Sequence, residues 1–172
     1  YVLLGDAQHP PGGEMHLGMT DSKIMGRQDL DRAGFALSGV GDVNGDGLDD
    51  LPIGGYEADG TGAAWLLHGP VPATVELSVA NALLMGVGSG DKAGYSVSII
   101  GDADGDGYDD IIVGAPYSDG GGADSGAAYL IHGPVSGALT LSSADVIFDG
   151  VAAGDQAGKG VSRAGDVNGD GY

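Results

Sequence analysis

Apolar residues in this chain fall in short runs separated by stretches rich in glycine, aspartate and proline, and the runs recur in order. Phe35 to Val40, Leu51 to Ile53, Ala64 to Leu67 and Leu83-Leu84-Met85 are followed by Tyr95 to Ile100, Ile111 to Val113, Ala128 to Ile131 and Val146-Ile147-Phe148. Short runs bounded by turn formers predict strands, and none is long enough for an ordinary helix. Leu77 to Ala82 and Leu141 to Asp145 are the places where one turn of helix could intervene.

The recurrence is an internal repeat. Ala33 to Asp42 returns as Ala93 to Asp102 and again as Ala157 to Asp166, at a nearly constant spacing. Ala64 to Pro70 returns as Ala128 to Pro134, and the chain opens on the counterpart Tyr1-Val2-Leu3-Leu4-Gly5. A weaker element ends at Gly26, Gly86 and Gly150. Four strands per period predict an all-β fold of β-propeller blades, each of four antiparallel strands. The expected division is a partial blade over 1–26 (third and fourth strands), whole blades over 27–86 and 87–150, and the start of a further blade over 151–172. A closed ring of at least four such blades needs upward of about 240 residues. The expectation is therefore a slice of a larger repeat protein, or a chain that completes its blades with another copy of itself.

Composition narrows the partners. With 25 Asp plus Glu against 6 Lys plus Arg the formal net charge is −19, so neither a phosphate backbone nor an anionic leaflet is a plausible partner. There is no cysteine, which removes disulfides, thiolate chemistry and Cys-ligated zinc. No apolar stretch reaches the roughly 18 residues of a membrane span, and no signal-peptide pattern is present. The 36 glycines suit turn-dense β structure better than helix.

The strongest chemical signal lies between the first and second runs of each repeat. The loops read Asp42-Val43-Asn44-Gly45-Asp46-Gly47-Leu48-Asp49-Asp50, Asp102-Ala103-Asp104-Gly105-Asp106-Gly107-Tyr108-Asp109-Asp110 and Asp166-Val167-Asn168-Gly169-Asp170-Gly171-Tyr172. Counting from the first Asp, oxygen side chains fall at positions 1, 3, 5 and 9 with Gly at 6, and position 7 (Leu48, Tyr108, Tyr172) would add its carbonyl. Alternating oxygens converge when the backbone curls around a centre, and position 6 must turn with φ > 0. Hard all-oxygen ligation favours Ca²⁺ over Mg²⁺, which dehydrates reluctantly, and over Zn²⁺, which wants His or Cys. The loop is not an EF-hand, because position 12 is Ile53 or Val113 rather than Glu. A hairpin turn without metal would also use Asn, Asp and Gly, but three copies in register, each feeding an apolar run, favour ligation. The middle loop has four carboxylates where the first has three and Asn44, so it is expected to bind more tightly. Asp49 and Asp109, at position 8, are expected to be solvated or to support the ligands rather than touch the ion.

Gly94-Tyr95-Ser96-Val97 before the middle loop and Asp110-Ile111-Ile112-Val113-Gly114-Ala115-Pro116 after it closely resemble the FG-GAP repeat of integrin α-subunit propellers. The likeness spans nearly the whole chain, with departures. The Phe-Gly element reads Phe35-Ala36, Tyr95-Ser96 and Lys159-Gly160, and Gly-Ala-Pro becomes Gly54-Gly55-Tyr56 in the earlier copy. The resemblance implies a propeller, seven-bladed in integrins, with calcium in loops of this type on one face and partners on the opposite face. It implies an extracellular or cell-surface location, and a protein or surface glycan as ligand. Related repeats occur in bacterial surface proteins, and the lack of Cys and of an Asn-x-Ser/Thr sequon makes this copy look more prokaryotic than animal.

No Gly-x-Ser-x-Gly elbow, phosphate loop or His-Glu-x-x-His motif occurs, so no enzymatic activity is expected. His68 and His132 fall at equivalent strand ends, where packing is the plainer reading than ligation, and Trp65, Tyr129 and Tyr1 read as core between blades. The leading expectation is a calcium-stabilised module of adhesion or partner binding. A propeller attached to a secreted phospholipase-like hydrolase and a spacer in a large surface protein are the alternatives. Eleven of the 25 acids lie in the three loops, so two filled sites would bring −19 to −15 and three to −13.

Overall fold

The computed structural model describes residues 22–39 and 41–165. Among them the fold is all-β, with eleven short strands and three single turns of 3-10 helix. The first is β1 (Lys23–Met25); β2 (Ala36–Leu37), β3 (Leu51–Gly55), β4 (Ala63–Leu67) and β6 (Ala82–Met85) form one antiparallel unit, with β5 (Thr74–Glu76) inserted between β4 and β6 in sequence. The unit repeats as β7 (Ser96–Gly101), β8 (Asp110–Ala115), β9 (Ala127–Ile131) and β11 (Val146–Asp149), with β10 (Gly137–Thr140) inserted in the same place. These are propeller-type blades. The turns at Leu77–Val79 and Leu141–Ser143 occupy the two places where a helical turn was expected.

The inserted strands are an addition to the four expected per repeat. β10 leaves its own repeat and pairs in parallel with β6 of the preceding blade, Gly137 to Thr140 against Ala82 to Met85, and β5 does the same to β1. Each repeat thereby caps the outer edge of the blade before it, covering N–H and C=O groups that an open edge would leave unpaired. Two further differences concern first strands. β2 is shorter than the run Phe35 to Val40 because Gly39 stands where β7 has Ile99, leaving no side chain to hold the strand on the core. Val161 to Gly165 forms no strand.

Side chains alternate faces along each strand, as a pleated backbone requires. On β4, Ala64 and Leu66 point toward the second blade and meet Val97, Ile99, Ile111, Val113, Tyr129 and Ile131 in one continuous core. Ala63, Trp65 and Leu67 point the other way and pack with Ile53, Ala58 and Leu77. β4 reads as an unbroken apolar run because both its faces are covered. Full burial of such a side chain contributes about 1.5–3 kcal/mol, so the seam between blades holds the loops at their ends in fixed relation. Close approach at the seam excludes side chains at Gly62. It lies at φ 81° and bridges Ala93 in parallel, and an added Cβ would stand 2.5 Å from the Ala93 nitrogen.

Candidate metal centre

The two described aspartate loops are hairpins joining β2 to β3 and β7 to β8, and they are wound by the same hydrogen bonds. In the first, the Asp42 carboxylate accepts the N–H groups of Gly45 (2.7 Å), Asp46 (3.1 Å) and Gly47 (2.8 Å). In the second, Asp102 accepts those of Gly105 (2.7 Å), Asp106 (3.1 Å) and Gly107 (2.9 Å). Position 3 accepts from position 5 in each, Asn44 from Asp46 and Asp104 from Asp106, and position 5 accepts from position 7, Asp46 from Leu48 and Asp106 from Tyr108. The backbone thus spirals around the first carboxylate. The turn at position 6 takes φ 86° at Gly47 and 96° at Gly107, the left-handed region in which a Cβ is strained.

Winding brings oxygens together. Asp102, Asp104 and Asp106 each present a carboxylate oxygen such that all three lie within 4.8 Å of one another, and Asp104 and Asp106 are exposed. The equivalent side chains of the first loop are Asp42, Asn44 and Asp46, with the Asn44 amide donating to Asp46 at 3.0 Å. An all-oxygen donor set on a hairpin open to solvent fits Ca²⁺, whose coordination number and distances are flexible. Asp166, Asn168, Asp170 and Tyr172 of the third loop lie outside the described residues.

Position 9 behaves differently from positions 1, 3 and 5. Asp50 and Asp110 are fully buried, and each fixes the base of its loop through backbone donors. Asp50 accepts from Val43 and Gly69, both at 3.0 Å, and Asp110 from Ala103 at 2.8 Å and Gly133 at 3.0 Å. Burial, the largest influence, pushes both carboxyls above the ordinary carboxylate range, against those N–H groups and the nearby His68 or His132. Each therefore ties its hairpin to the third strand's far end, at Gly69-Pro70 or Gly133-Pro134.

Two features were not visible in the spacing. His132 Nδ1 stands 3.1 Å from Asp104 Oδ2, and the equivalent His68 instead meets the Val135 carbonyl through Nε2 at 3.1 Å. Their recurrence at matching points of two repeats marked the histidines, but contact with a loop two strands away carries no local signal. Asp109 is the other. Its carboxylate leaves its own loop and accepts the Asp42 N–H of the first loop at 2.9 Å. Trp65 and Tyr129 are buried in the cores on either side of the blades. At the strand ends away from the loops, Phe35, Tyr56 and Tyr95 form an aromatic cluster with ring centroids 4.5 to 5.6 Å apart, and Phe35 is 52% exposed.

Antiparallel blades in tandem, each with an aspartate-wound hairpin at one end, define a repeat protein of the propeller class. Residues 93–131 match the FG-GAP repeat. Integrin alpha-PS2 of Drosophila melanogaster is 34% identical over 129 residues, 70% of this chain and 9% of the relative. Integrin alpha-5 of Xenopus laevis is 32% identical over 123 residues, 65% of this chain and 11% of the relative. Integrin alpha pat-2 of Caenorhabditis elegans is 38% identical over 82 residues, 46% of this chain and 6% of the relative. The chain is an integrin-like FG-GAP repeat protein, and it spans a small part of the length of these relatives. No helix among the described residues is long and apolar enough to cross a membrane.

Proposed function

We propose that the chain is a non-catalytic, calcium-stabilised FG-GAP module of extracellular adhesion or protein-partner binding, with calcium in a structural role. The observation that carries this reading is the convergence of Asp102, Asp104 and Asp106 in a hairpin between two strands of a buried blade. Like charges about 4 Å apart repel by roughly 1 kcal/mol per pair even in water, and by more at a protein surface. A divalent cation reverses that sign. In the first loop Asp42, Asn44, Asp46 and the Leu48 carbonyl would hold the ion, in the second Asp102, Asp104, Asp106 and the Tyr108 carbonyl, with Asp50 and Asp110 closing each base; Asp166, Asn168, Asp170 and Tyr172 are the third set. The extra carboxylate of Asp104 makes the second loop the tighter site.

The partner face is the opposite one. The exposed ring of Phe35, packed with the partly buried Tyr56 and Tyr95, suits a protein or glycan ligand, and the similarity to integrin α chains supports adhesion at the cell surface over a hydrolase or spacer. The test is a melting curve in calcium and in EGTA. At one hundred times Kd each filled site adds about 2.7 kcal/mol, so chelation must lower the melting temperature; an unchanged curve removes calcium from the reading.

A further inference from the structure

The two loops touch. Asp109 Oδ2 accepts the Asp42 N–H at 2.9 Å, and the Asp109 N–H donates to the Asp42 carbonyl at 3.1 Å, a reciprocal pair joining two different repeats. The Tyr108 ring lies over the next turn of the first loop, where a Cβ on Gly45 would stand 2.5 Å from Tyr108 Cε1. Asp109 is flanked by Tyr108 and Asp110, which are positions 7 and 9 of the second loop, and it grips position 1 of the first. An arrangement that winds the second loop therefore also fixes the peptide on which Asp42 is mounted, the carboxylate around which the first loop spirals.

We propose that Asp109 is a positioning residue that couples calcium binding in the two loops, so that filling the second raises the affinity of the first. This rests on the calcium reading above. No ligand is shared: the second loop, once wound about its ion, holds Asp109 still, and Asp109 holds the Asp42 backbone in the wound form of the first. Such coupling is reciprocal by linkage, and sites coupled this way usually alter one another's affinity by about 5- to 150-fold. The contact is physical and continuous between the two loops, and the coupling requires that each loop leave its wound form when its ion is removed.

The test is a calcium titration of the full chain followed by amide NMR, with Gly47 and Gly107 as reporters of the first and second loops. Asp109→Ala is expected to raise the midpoint at Gly47 at least fivefold. Asp109→Asn, which keeps an oxygen able to accept the Asp42 N–H, is expected to restore it to within about twofold of wild type; a bulk loss of stability would not be rescued in this way. Emptying the second loop with Asp106→Ala, Asp109 being intact, is expected to raise the Gly47 midpoint as much as Asp109→Ala does, and the double variant no further. A Gly47 midpoint that is the same in wild type and Asp106→Ala overturns the coupling, as does one unmoved by Asp109→Ala. A wild-type chain in which neither glycine responds to millimolar calcium overturns the calcium reading itself, an outcome distinct from two independent sites.

Discussion

Asp104 and Asp110 belong to one loop and should fail in opposite ways. Asp104 is exposed and converges with two other carboxylates, so removing it relieves repulsion when no cation is present. Asp110 is buried and its two oxygens each satisfy a backbone donor. Asp110→Ala would leave the Ala103 and Gly133 N–H groups unpaired in a dry site, at about 1–3 kcal/mol each. In EGTA, Asp110→Ala is expected to lower the melting temperature by at least about 4 °C and Asp104→Ala to leave it unchanged or raise it. In a calcium titration the order reverses in kind: Asp104→Ala weakens the second loop at least tenfold without loss of fold. The raised carboxyls of Asp50 and Asp110 add a dependence on pH. An acid whose pKa is raised by folding stabilises fully below its unfolded value, about 3.9 for Asp, and loses that contribution as pH rises through the folded value. Melting in EGTA should therefore fall as pH rises above that unfolded value, whereas calcium-loaded protein, in which protons compete with the ion, should melt higher at pH 7. Parallel slopes in the two conditions would contradict this assignment.

Among the elements, blade strands and loops were legible because their determinants are local: apolar runs with both faces buried, and oxygens at fixed spacing around a glycine. The fold class and family likeness of the sequence reading agree with the structure and the comparisons. The strand exchange by β5 and β10 was not legible, since Thr74–Glu76 and Gly137–Thr140 are short, largely exposed, and owe their conformation to an edge strand of the preceding repeat. In sequence Asp109 reads only as solvated or supporting, because its partner, Asp42, belongs to another repeat. Repeat-to-repeat contact is thus the part that spacing hides, and glycine is where it becomes visible. At Gly62 both φ and the Ala93 backbone exclude a side chain. Gly62→Ala is expected to cost about 2–3 kcal/mol through strain and displacement of the neighbouring blade, lowering the melting temperature by about 4–12 °C. Gly60→Ala, at the similar φ of 77° but with open space around it, separates the two contributions. If both variants melt alike, backbone strain alone accounts for the loss and the seam does not need the glycine.

Across the whole molecule, the charge of −19 is distributed so that calcium and salt act on the same self-repulsion. Exposed like charges are screened within about 10 Å at 0.1 M salt and within about 30 Å at 0.01 M. A chain with this excess of carboxylates is therefore least stable at low salt and without divalent cation. In EGTA the melting temperature should climb steadily as NaCl is raised from 10 to 300 mM. Two filled sites change the net charge from −19 to −15, and in the second loop the ion would act where three carboxylate oxygens lie within 4.8 Å of one another. Local neutralisation at that distance is worth more than diffuse screening, because the interaction falls with separation and the loops sit against a buried core. In saturating calcium the same NaCl series should therefore produce a much smaller rise, with the two series converging at high salt but not meeting. Equal slopes with and without calcium would mean that the repulsion lies in the remaining acids, spread over the surface, and that the loops do not dominate the electrostatics of the fold.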